Sequence, residues 1–566
     1  MSDHQNILTT SLSASPDTLR YSNDTLYDAF RRTASKYPNK FAYEYMGTKT
    51  RYSQMKSRVS RCANALLALG IRRGDKVTIC LPNIPQAVDV FYAVNRIGAI
   101  ANMVHPLSAE NEIAYYLEVS GSVAILALDQ FADKVLKAAR SVAAVKHIII
   151  TGPEDTLPVW KKQVYRLSKG RVFSSAVSGC ISYEEFLSQG KYASSGSSRA
   201  HNDHAVILYS GGTTGTSKGI LLTNRNFNAI AQQVVAANPV FQPGDKMLAV
   251  LPMFHGFGLG VCIHTMMFNG GCSILVPRFT LKTYAQLLSK YSPNFIAGVP
   301  TLFEALIMLE NVKDLDLSCL KGVFSGGDSL SVDLKKKIDD FLYEHNSKVP
   351  IREGYGLTEC CSVACLTPSN SHKDGSIGKP MPDVSVKIVA PGTEEIQAVG
   401  AEGEICISGP TVMLGYIGNE KETGETLISH SDGRTWLHTG DLGKLDEDGY
   451  LFFSQRIKRM IVTSGYNVYP SQIESVLDAH PKVLRSCVIG VDDPYRIKKV
   501  KAFIVLDKGA EKSEKTKEEI LEYVKLNIAK YAMPREIEFR DELPKTRVGK
   551  IAYRVLEEEE AAKQKA

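Results

Sequence analysis

The sequence predicts an α/β protein in which a large N-terminal region precedes a small α+β domain. Two changes in the hydrophobic pattern divide the chain. Helical and strand-like segments alternate up to about Val384, and short alternating strands separated by Gly, Pro and Asp follow. After Arg456, short strands mix with one long charged helix. Alternating helices and strands are typical of layered units with mostly parallel sheets.

The elements of the first half follow one another in regular order. Apolar residues recur at helical spacing over 55–66 and stop at Gly70, and residues 77–81 form an apolar run typical of a buried strand. A second helical pattern spans 86–98, and the strand-like run 99–104 follows it. These pairs indicate repeated helix and strand units.

The later elements are shorter. The segments VSVKIV, GEICISG and GYLFF predict a small antiparallel β region, because they alternate and are separated by turn residues. Beyond Arg456, residues 487–491 and 501–506 predict strands and the charged pattern over 514–529 predicts a helix. We therefore expect a separate α+β domain at the C-terminus.

Size and composition limit the possible classes of protein. The chain has 566 residues, of which 44% are hydrophobic and 23% charged, as in a globular protein of several domains. No apolar run approaches the roughly 20 residues of a membrane helix. The net charge of +6 gives no reason to expect a nucleic-acid partner. Eleven cysteines without CxxC spacing favour free thiols and a cytoplasmic location.

The segment 209–219, YSGGTTGTSKG, has the composition of a phosphate-binding loop. Glycines let the backbone approach an anion, successive N–H groups form a concave anion site, and hydroxyls and a lysine add donors. No register fits the Walker motif, so an ordinary P-loop fold is not expected. A flexible surface loop is the alternative. The candidate phosphate ligands are Ser210, Gly211, Gly212, Thr213, Thr214, Gly215 and Lys218.

Further motifs follow in a fixed order: SGGDS at 325–329, EGYGLTE at 353–359, HTGD at 438–441, Arg456, and PKTRVGK at 544–550. Together with the glycine-rich loop, they resemble the adenylate-forming superfamily of acyl-CoA synthetases, luciferases and peptide-synthetase adenylation domains. The similarity extends from about Thr25 to Arg554. Each motif alone is weak, but the ordered set is specific.

The resemblance implies a fold and a reaction. Residues 1–456 would form an AMP-binding domain of two α/β-layered sheets plus a small β-barrel, and residues 457–566 a small mobile domain. ATP would convert a carboxylic acid to an acyl-adenylate with release of pyrophosphate, and coenzyme A would then displace AMP. Thr214 and Glu359 would hold Mg²⁺, which prefers oxygen ligands.

The same resemblance assigns the nucleotide contacts. Tyr355 would stack on adenine, the 326–328 turn would pass close to the base, and Asp441 and Arg456 would bind the ribose. The residues implied here are Gly326, Gly327, Asp328, Tyr355, Gly356, Thr358, Asp441 and Arg456.

Two lysines of the C-terminal region have implied roles. Lys550 would bridge the substrate carboxylate and the α-phosphate as charge develops between them. Lys458 would be the hinge that rotates the small domain between the two half-reactions. After rotation, the 463–467 turn, with Ser464, Gly465 and Tyr466, would face the pantetheine of coenzyme A.

The acid itself is less clearly indicated. His255 would lie beside the acyl carboxylate, and Gly298, Gly327 and Gly378 would line the acyl pocket. The Gly-Gly version of the loop resembles the fatty-acyl branch, so a medium- or long-chain fatty acid is our first expectation. Transfer to a carrier protein, an aryl acid substrate and a catalytically silent binding protein are the alternatives. Acyl chain length and oligomeric state are left open.

One predicted helix stands apart from this site. Over 159–171, Trp160, Val164 and Leu167 share one face, while Lys161, Lys162, Arg166 and Lys169 lie elsewhere. The pattern predicts a charged helix docked by its apolar stripe. Contact with a membrane surface is the alternative.

Overall fold

The computed structural model describes residues 19–169, 179–190, 201–210, 217–309, 312, 314–459, 461–463, 466–468, 470–493, 497–528, 532–546 and 549–565. Within these ranges, the strands form four sheets, and the helices pack against them. None of the helices in this part of the chain combines the length and apolar content needed to cross a bilayer.

The α-helices are amphipathic or, between the sheets, almost fully buried. In chain order they are α1 Leu26–Lys36, α2 Tyr52–Ala68, α3 Pro85–Arg96, α4 Glu110–Ser120, α5 Ala132–Arg140, α6 Val159–Lys169, α7 Tyr183–Gln189, α8 Asn224–Ala236, α9 Thr265–Asn269, α10 Leu281–Tyr291, α11 Pro300–Ile307, α12 Val332–Glu344, α13 Glu420–Thr426, α14 Pro470–Asp478, α15 Glu514–Asn527 and α16 Tyr553–Lys565. A π-helical segment, Phe257–His264, leads into α9.

Most of the strands are short. They are β1 Phe41–Tyr45, β2 Thr48–Arg51, β3 Lys76–Cys80, β4 Ile100–Met103, β5 Ser122–Leu128, β6 His147–Thr151, β7 Ile181–Ser182, β8 His204–Ser210, β9 Lys218–Thr223, β10 Lys246–Ala249, β11 Cys272–Leu275, β12 Phe295–Gly298, β13 Gly322–Gly326, β14 Ile351–Tyr355, β15 Cys365–Leu366, β16 Lys379–Pro380, β17 Ser385–Val389, β18 Gly403–Ser408, β19 Gly415–Tyr416, β20 Leu427–Ser429, β21 Thr435–Leu445, β22 Leu451–Arg456, β23 Ile461–Thr463, β24 Tyr466–Val468, β25 Val483–Asp493, β26 Ile497–Leu506 and β27 Glu536–Arg540.

Two mostly parallel sheets form the large region, as the alternating pattern predicts. One has nine strands in the order β16-β15-β14-β13-β12-β10-β11-β1-β2, and the other has eight in the order β19-β9-β8-β4-β3-β5-β6-β7. Helix α3 is buried along nearly its whole length, and one core cluster joins it to strands of both sheets. Such burial on every side is expected of a helix between two layers.

The two smaller regions are also confirmed. Strands β17, β18, β20, β21 and β22 form a five-stranded antiparallel sheet; in the described residues their pairings are linked in an open order, so the expected barrel is seen here as a sheet. The fourth sheet, β24-β23-β26-β25 with β27 beside β26, lies after Arg456 and packs with α14 and α15. This is the predicted α+β region.

The prediction for α6 was half wrong. The helix forms, but its apolar stripe faces solvent, since Trp160 is 63% and Leu167 88% exposed. The basic face is docked instead: Arg166 Nε lies 3.1 Å from Glu154 Oε1, and Lys162 Nζ lies 3.3 Å from Asp155 Oδ1. Ion pairs that a helical pattern does not reveal decided which face turned inward.

Candidate active site

A cavity of about 1630 Å³ lies where the three N-terminal sheets meet the C-terminal domain. Strands β8, β13 and β14 of the parallel sheets end at it, which is where ligand sites are commonly found in α/β sheets. The cavity brings together most of the described residues that the motifs pointed to: Ser210, Lys218, His255, Gly326, Gly327, Asp328, Tyr355, Gly356, Thr358, Glu359, Asp441, Arg456 and Lys550.

One end of the cavity is built around the Asp441 carboxylate. The Tyr355 hydroxyl donates to Asp441 Oδ2 at 2.8 Å, and Arg456 Nε lies 3.5 Å from Oδ1. Burial raises the pKa of Asp441, whereas the Arg456 guanidinium acts in the opposite direction. Arg456 is half exposed, so its charge is partly screened by solvent. This arrangement offers two carboxylate oxygens to a pair of vicinal hydroxyls.

The turn before Asp441 is held by a buried carboxylate that sequence reasoning missed. Glu404 Oε1 accepts from the Gly440 backbone N–H at 3.0 Å, while Oε2 lies 3.0 Å from His438 Nδ1. Burial opposes ionisation of Glu404, but its hydrogen bond to His438 and its backbone N–H donors lower the pKa overall. His430 Nε2 meets His438 Nε2 at 2.9 Å and extends the chain of contacts. Glu404 therefore fixes the direction of the Asp441 segment.

The opposite end of the cavity is built around Glu359. Its Oε1 accepts from the Tyr416 hydroxyl at 3.1 Å and lies 3.5 Å from Ser210 Oγ. Burial raises the pKa of Glu359. The predicted ligands Gly211, Gly212, Thr213, Thr214 and Gly215 lie outside the described residues.

Lys218 closes this end and has a partner that sequence reasoning missed. Its ammonium pairs with the Glu422 carboxylate from α13 and lies 4.9 Å from the centre of the Tyr416 ring. Tyr416 thus joins the Glu359 carboxylate to the Lys218 cation. Neither Tyr416 nor Glu422 belongs to a motif that the sequence singled out, because their positions depend on contacts across about 200 residues.

The Glu359 end fits a hard divalent cation. Mg²⁺ is usually held by one or two carboxylates together with substrate phosphates, and Glu359 has hydroxyl oxygens on both sides. A carboxylate whose pKa burial has raised would be returned to its charged form by such a cation.

Lys550 reaches the cavity from the C-terminal domain. A β-carbon placed at Gly327, whose φ is +85°, would lie 3.6 Å from Lys550 Cε. Burial and the nearby Arg456 lower the pKa of Lys550, while the carboxylates of Asp328, Asp441 and Glu359 oppose that shift. The side chain is thus a cation placed between both ends of the cavity.

Besides a hydrogen bond from the Ser471 hydroxyl to the Ser454 carbonyl, two contacts between described residues hold the C-terminal domain in this position. Arg485 Nη2 donates to Glu304 Oε2 at 2.8 Å, and Thr301 Oγ1 donates to the Gly549 carbonyl at 3.3 Å. Both N-terminal partners lie on α11, so one helix supports the loop that carries Lys550.

The expected hinge and coenzyme A residues lie directly beyond the cavity. Lys458 is in a 3₁₀ turn, Ile457–Arg459, that follows Arg456. Strands β23 and β24 pair as a hairpin with Thr463 opposite Tyr466. Ser464 and Gly465, at its tip, lie outside the described residues.

His255 and an apolar wall form the third part of the cavity. Burial, and then the nearby Lys550, lower the pKa of His255 to about 4, so the imidazole is neutral near pH 7. Val234, Val261, Phe324 and Leu366 line the cavity beyond it. This wall suits an apolar chain, and the neutral ring suits a hydrogen bond to a carboxylate.

Gly298 and Gly378 are not among the residues that line the cavity. A β-carbon at Gly378 would lie 2.1 Å from the Leu366 carbonyl carbon, and one at Gly298 would lie 2.5 Å from the Leu302 side chain. Close packing therefore accounts for the absence of a side chain at both positions, and their place in an acyl pocket stays a prediction. Gly327 does line the cavity.

Comparisons with known proteins agree with this architecture. The family model "AMP-binding enzyme" matches residues 30–417, and "AMP-binding enzyme C-terminal domain" matches residues 472–550. A long-chain-fatty-acid–CoA ligase of Bacillus subtilis (strain 168) is 34% identical, with 96% of each chain covered. A protein of the same name from Yersinia pestis is 36% identical, with 96% of this chain and 95% of the relative covered.

Solved structures share the fold over nearly the whole chain. ATP-bound MatB from Rhodopseudomonas palustris is 28% identical with a TM-score of 0.81, covering 95% of this chain and 99% of that one. A Mycobacterium tuberculosis fatty acyl CoA synthetase is 27% identical with a TM-score of 0.68 and the same coverage. The matched family models and the nearly full-length relatives lead to one conclusion: the chain belongs to the AMP-binding enzyme family.

Proposed function

We propose that this protein is an AMP-forming acyl-CoA ligase that activates a medium- or long-chain fatty acid. The observation that carries the proposal is the position of Lys550, which lines the same cavity as Asp441, Glu359 and His255. One cavity then has a carboxylate for ribose hydroxyls, a site for the departing pyrophosphate and a cation for the reacting atoms between them.

The chemistry follows from that arrangement. The fatty acid carboxylate attacks the α-phosphorus of ATP, and pyrophosphate leaves from the Glu359 end. Lys550 neutralises charge on both the carboxylate and the α-phosphate, which lowers the barrier because the donor is already in place. Neutral His255 donates one hydrogen bond to the carboxylate and carries no charge that would repel Lys550. Mg²⁺ held by Glu359, with Thr214 as its proposed partner, would supply charge neutralisation for the pyrophosphate.

The second half-reaction requires a different position of the C-terminal domain. We propose that residues 457–566 rotate about Lys458, withdraw Lys550 and present the β23–β24 hairpin to coenzyme A. The coenzyme A thiol sulfur then attacks the acyl carbonyl and AMP leaves. Rotation would break the Arg485–Glu304 and Thr301–Gly549 contacts, both of which involve one helix of the N-terminal region.

The choice of acid rests on two supports. Relatives from Bacillus subtilis and Yersinia pestis are named long-chain-fatty-acid–CoA ligases, and the wall beyond His255 is apolar.

The free thiols of the described cysteines agree with a reducing, cytoplasmic location.

A panel assay tests the proposal. The protein is incubated with ATP, Mg²⁺ and coenzyme A plus octanoate, palmitate, benzoate or phenylalanine, and AMP and thioester are measured. We expect equal amounts of AMP and thioester with octanoate or palmitate and little with the other two. AMP without thioester would favour transfer to a carrier protein, preference for benzoate would favour an aryl acid ligase, and no AMP with any acid would contradict adenylation.

A further inference from the structure

Helix α6 presents an apolar surface to solvent. Trp160 is 63%, Val164 58% and Leu167 88% exposed, and these residues lie at i, i+4 and i+7 on one helix face. Val159 and Met46 are also exposed large apolar residues, and Met46 is adjacent because its carbonyl accepts from Lys161 Nζ at 3.0 Å. We call these five residues the α6 patch.

The apolar face of α6 points to solvent, whereas a surface helix usually turns its apolar face toward the core. Lys162 and Arg166 point toward the protein and pair with Asp155 and Glu154 at the start of the preceding turn. Two ion pairs of partly buried side chains therefore hold the apolar stripe outward. A surface helix normally buries such a stripe, so the exposure needs a partner to explain it.

Cations lie beside the α6 patch. The Lys161 ammonium contacts the Met46 carbonyl, Thr48 Oγ1 at 3.0 Å and the Trp160 ring, so these contacts leave its charge uncompensated. Lys49 and Arg51 lie on the same hairpin, over the Phe41 ring.

The exposed charges of this surface are mainly positive. Lys49 and Arg51 are exposed, whereas most of the carboxylates near the cations are not: Glu44 and Glu154 are buried, Asp129 and Asp155 are partly buried, and Glu184 is exposed. Among these groups, exposed cations therefore outnumber exposed carboxylates.

We propose that the α6 patch docks the enzyme on an anionic lipid surface. Exposed Trp and Leu side chains beside lysines are the combination that lies at the headgroup level of a bilayer, where the apolar groups enter and the cations meet lipid phosphates. The proposal does not depend on which acid the active site uses, because its observations lie outside the cavity.

Intrinsic fluorescence offers a direct test. The chain has two tryptophans, and Trp436 is buried at 4% exposure, so a spectral shift on adding vesicles reports on Trp160. With the full-length protein, we expect a blue shift and co-sedimentation with phosphatidylcholine–phosphatidylglycerol vesicles. With phosphatidylcholine alone or at about 0.5 M salt, both signals should weaken, because the attraction between charges is screened.

Matched variants locate the surface. Val164→Glu/Leu167→Glu should reduce the bound fraction at least about fivefold, since charge enters the apolar face. Ile396→Glu changes an equally exposed residue on another region, at 54% against 58% for Val164, and should bind as the unchanged protein does. AMP formation from a water-soluble acid should be the same in all three, which checks folding.

Three results would overturn the proposal. The first is an unchanged protein that neither shifts nor sediments with anionic vesicles. The second is equal binding by the Val164→Glu/Leu167→Glu variant. The third is a dimer, seen by light scattering, that this variant dissociates while no vesicle binding occurs; the α6 patch would then serve a second copy of the chain.

Discussion

The two ends of the cavity are prepared in different ways. At the Asp441 end, the carboxylate is buried and its segment is fixed by Glu404, so the proposed receptor for the ribose is already in place without a ligand. At the Glu359 end, the cation Lys218 is already paired with Glu422 and lies over the Tyr416 ring. In the proposed function, the first end would hold the neutral sugar, and the second would keep its charges balanced until the highly charged phosphates enter and leave.

Lys550 connects the two ends, and its removal should have the largest effect. We expect Lys550→Ala to slow acyl-adenylate formation by about 10²- to 10³-fold, as for other preorganised charge donors. Thioester formation from supplied acyl-adenylate should fall by less than about threefold. Single-turnover measurements of both half-reactions check this, with Lys545→Ala as the control because Lys545 is an exposed lysine of the same loop. Equal losses in both half-reactions would contradict the role.

The lowered pKa of Lys550 gives that prediction a pH signature. The protonated form is the active one, so adenylation should decline as the pH rises through a pKa below the ordinary lysine value. Lys550→Arg should move this alkaline decline upward, since a guanidinium stays charged. A pH profile identical in both forms would exclude Lys550 as the titrating group.

Asp441→Asn should have the next largest effect. Losing a charged acceptor for two hydroxyls should raise the KM for ATP by about 10- to 100-fold, while the KM for the acid should change little. Steady-state kinetics with each substrate varied separately measure the difference. Asp448→Asn, on the exposed turn after β21, is the matched control. A uniform loss of kcat without a change in the KM for ATP would show that Asp441 does not contact the nucleotide.

Glu422→Gln tests the other end and should have the smallest effect. Freeing Lys218 from its carboxylate should tighten pyrophosphate binding by about two- to fivefold, in line with the modest value of a partly exposed ion pair. Inhibition of adenylation by pyrophosphate measures this, and Glu420→Gln is the control, because Glu420 is exposed on the same helix and does not line the cavity. Weaker pyrophosphate binding would mean that Glu422 positions Lys218 instead of competing for it.

Sequence reasoning succeeded for the elements of the fold that local patterns specify, and the ordered motifs identified the family. The helix over 55–66 and the strand over 77–81 were predictable because each follows from a local hydrophobic pattern. Glu404, Tyr416 and Glu422 were missed because their roles come from contacts with distant segments and not from their neighbours in the chain.

The orientation of helix α6 was missed for the same reason. Its periodicity predicted an amphipathic helix correctly, yet the inward face was decided by Glu154 and Asp155 on a neighbouring turn. A hydrophobic pattern identifies two faces, but only the tertiary ion pairs determine which one is buried.

We propose, above all, that one cavity binds the nucleotide and the acid and that Lys550 reaches both of them there. A crystal structure with a non-hydrolysable acyl-adenylate analogue tests it most directly. The account predicts both ribose hydroxyls within about 3.2 Å of the Asp441 carboxylate, the Lys550 ammonium at hydrogen-bond distance from the phosphate, and the acyl chain against Val261 and Phe324. An analogue bound elsewhere, or bound here with Lys550 outside the cavity, would contradict it.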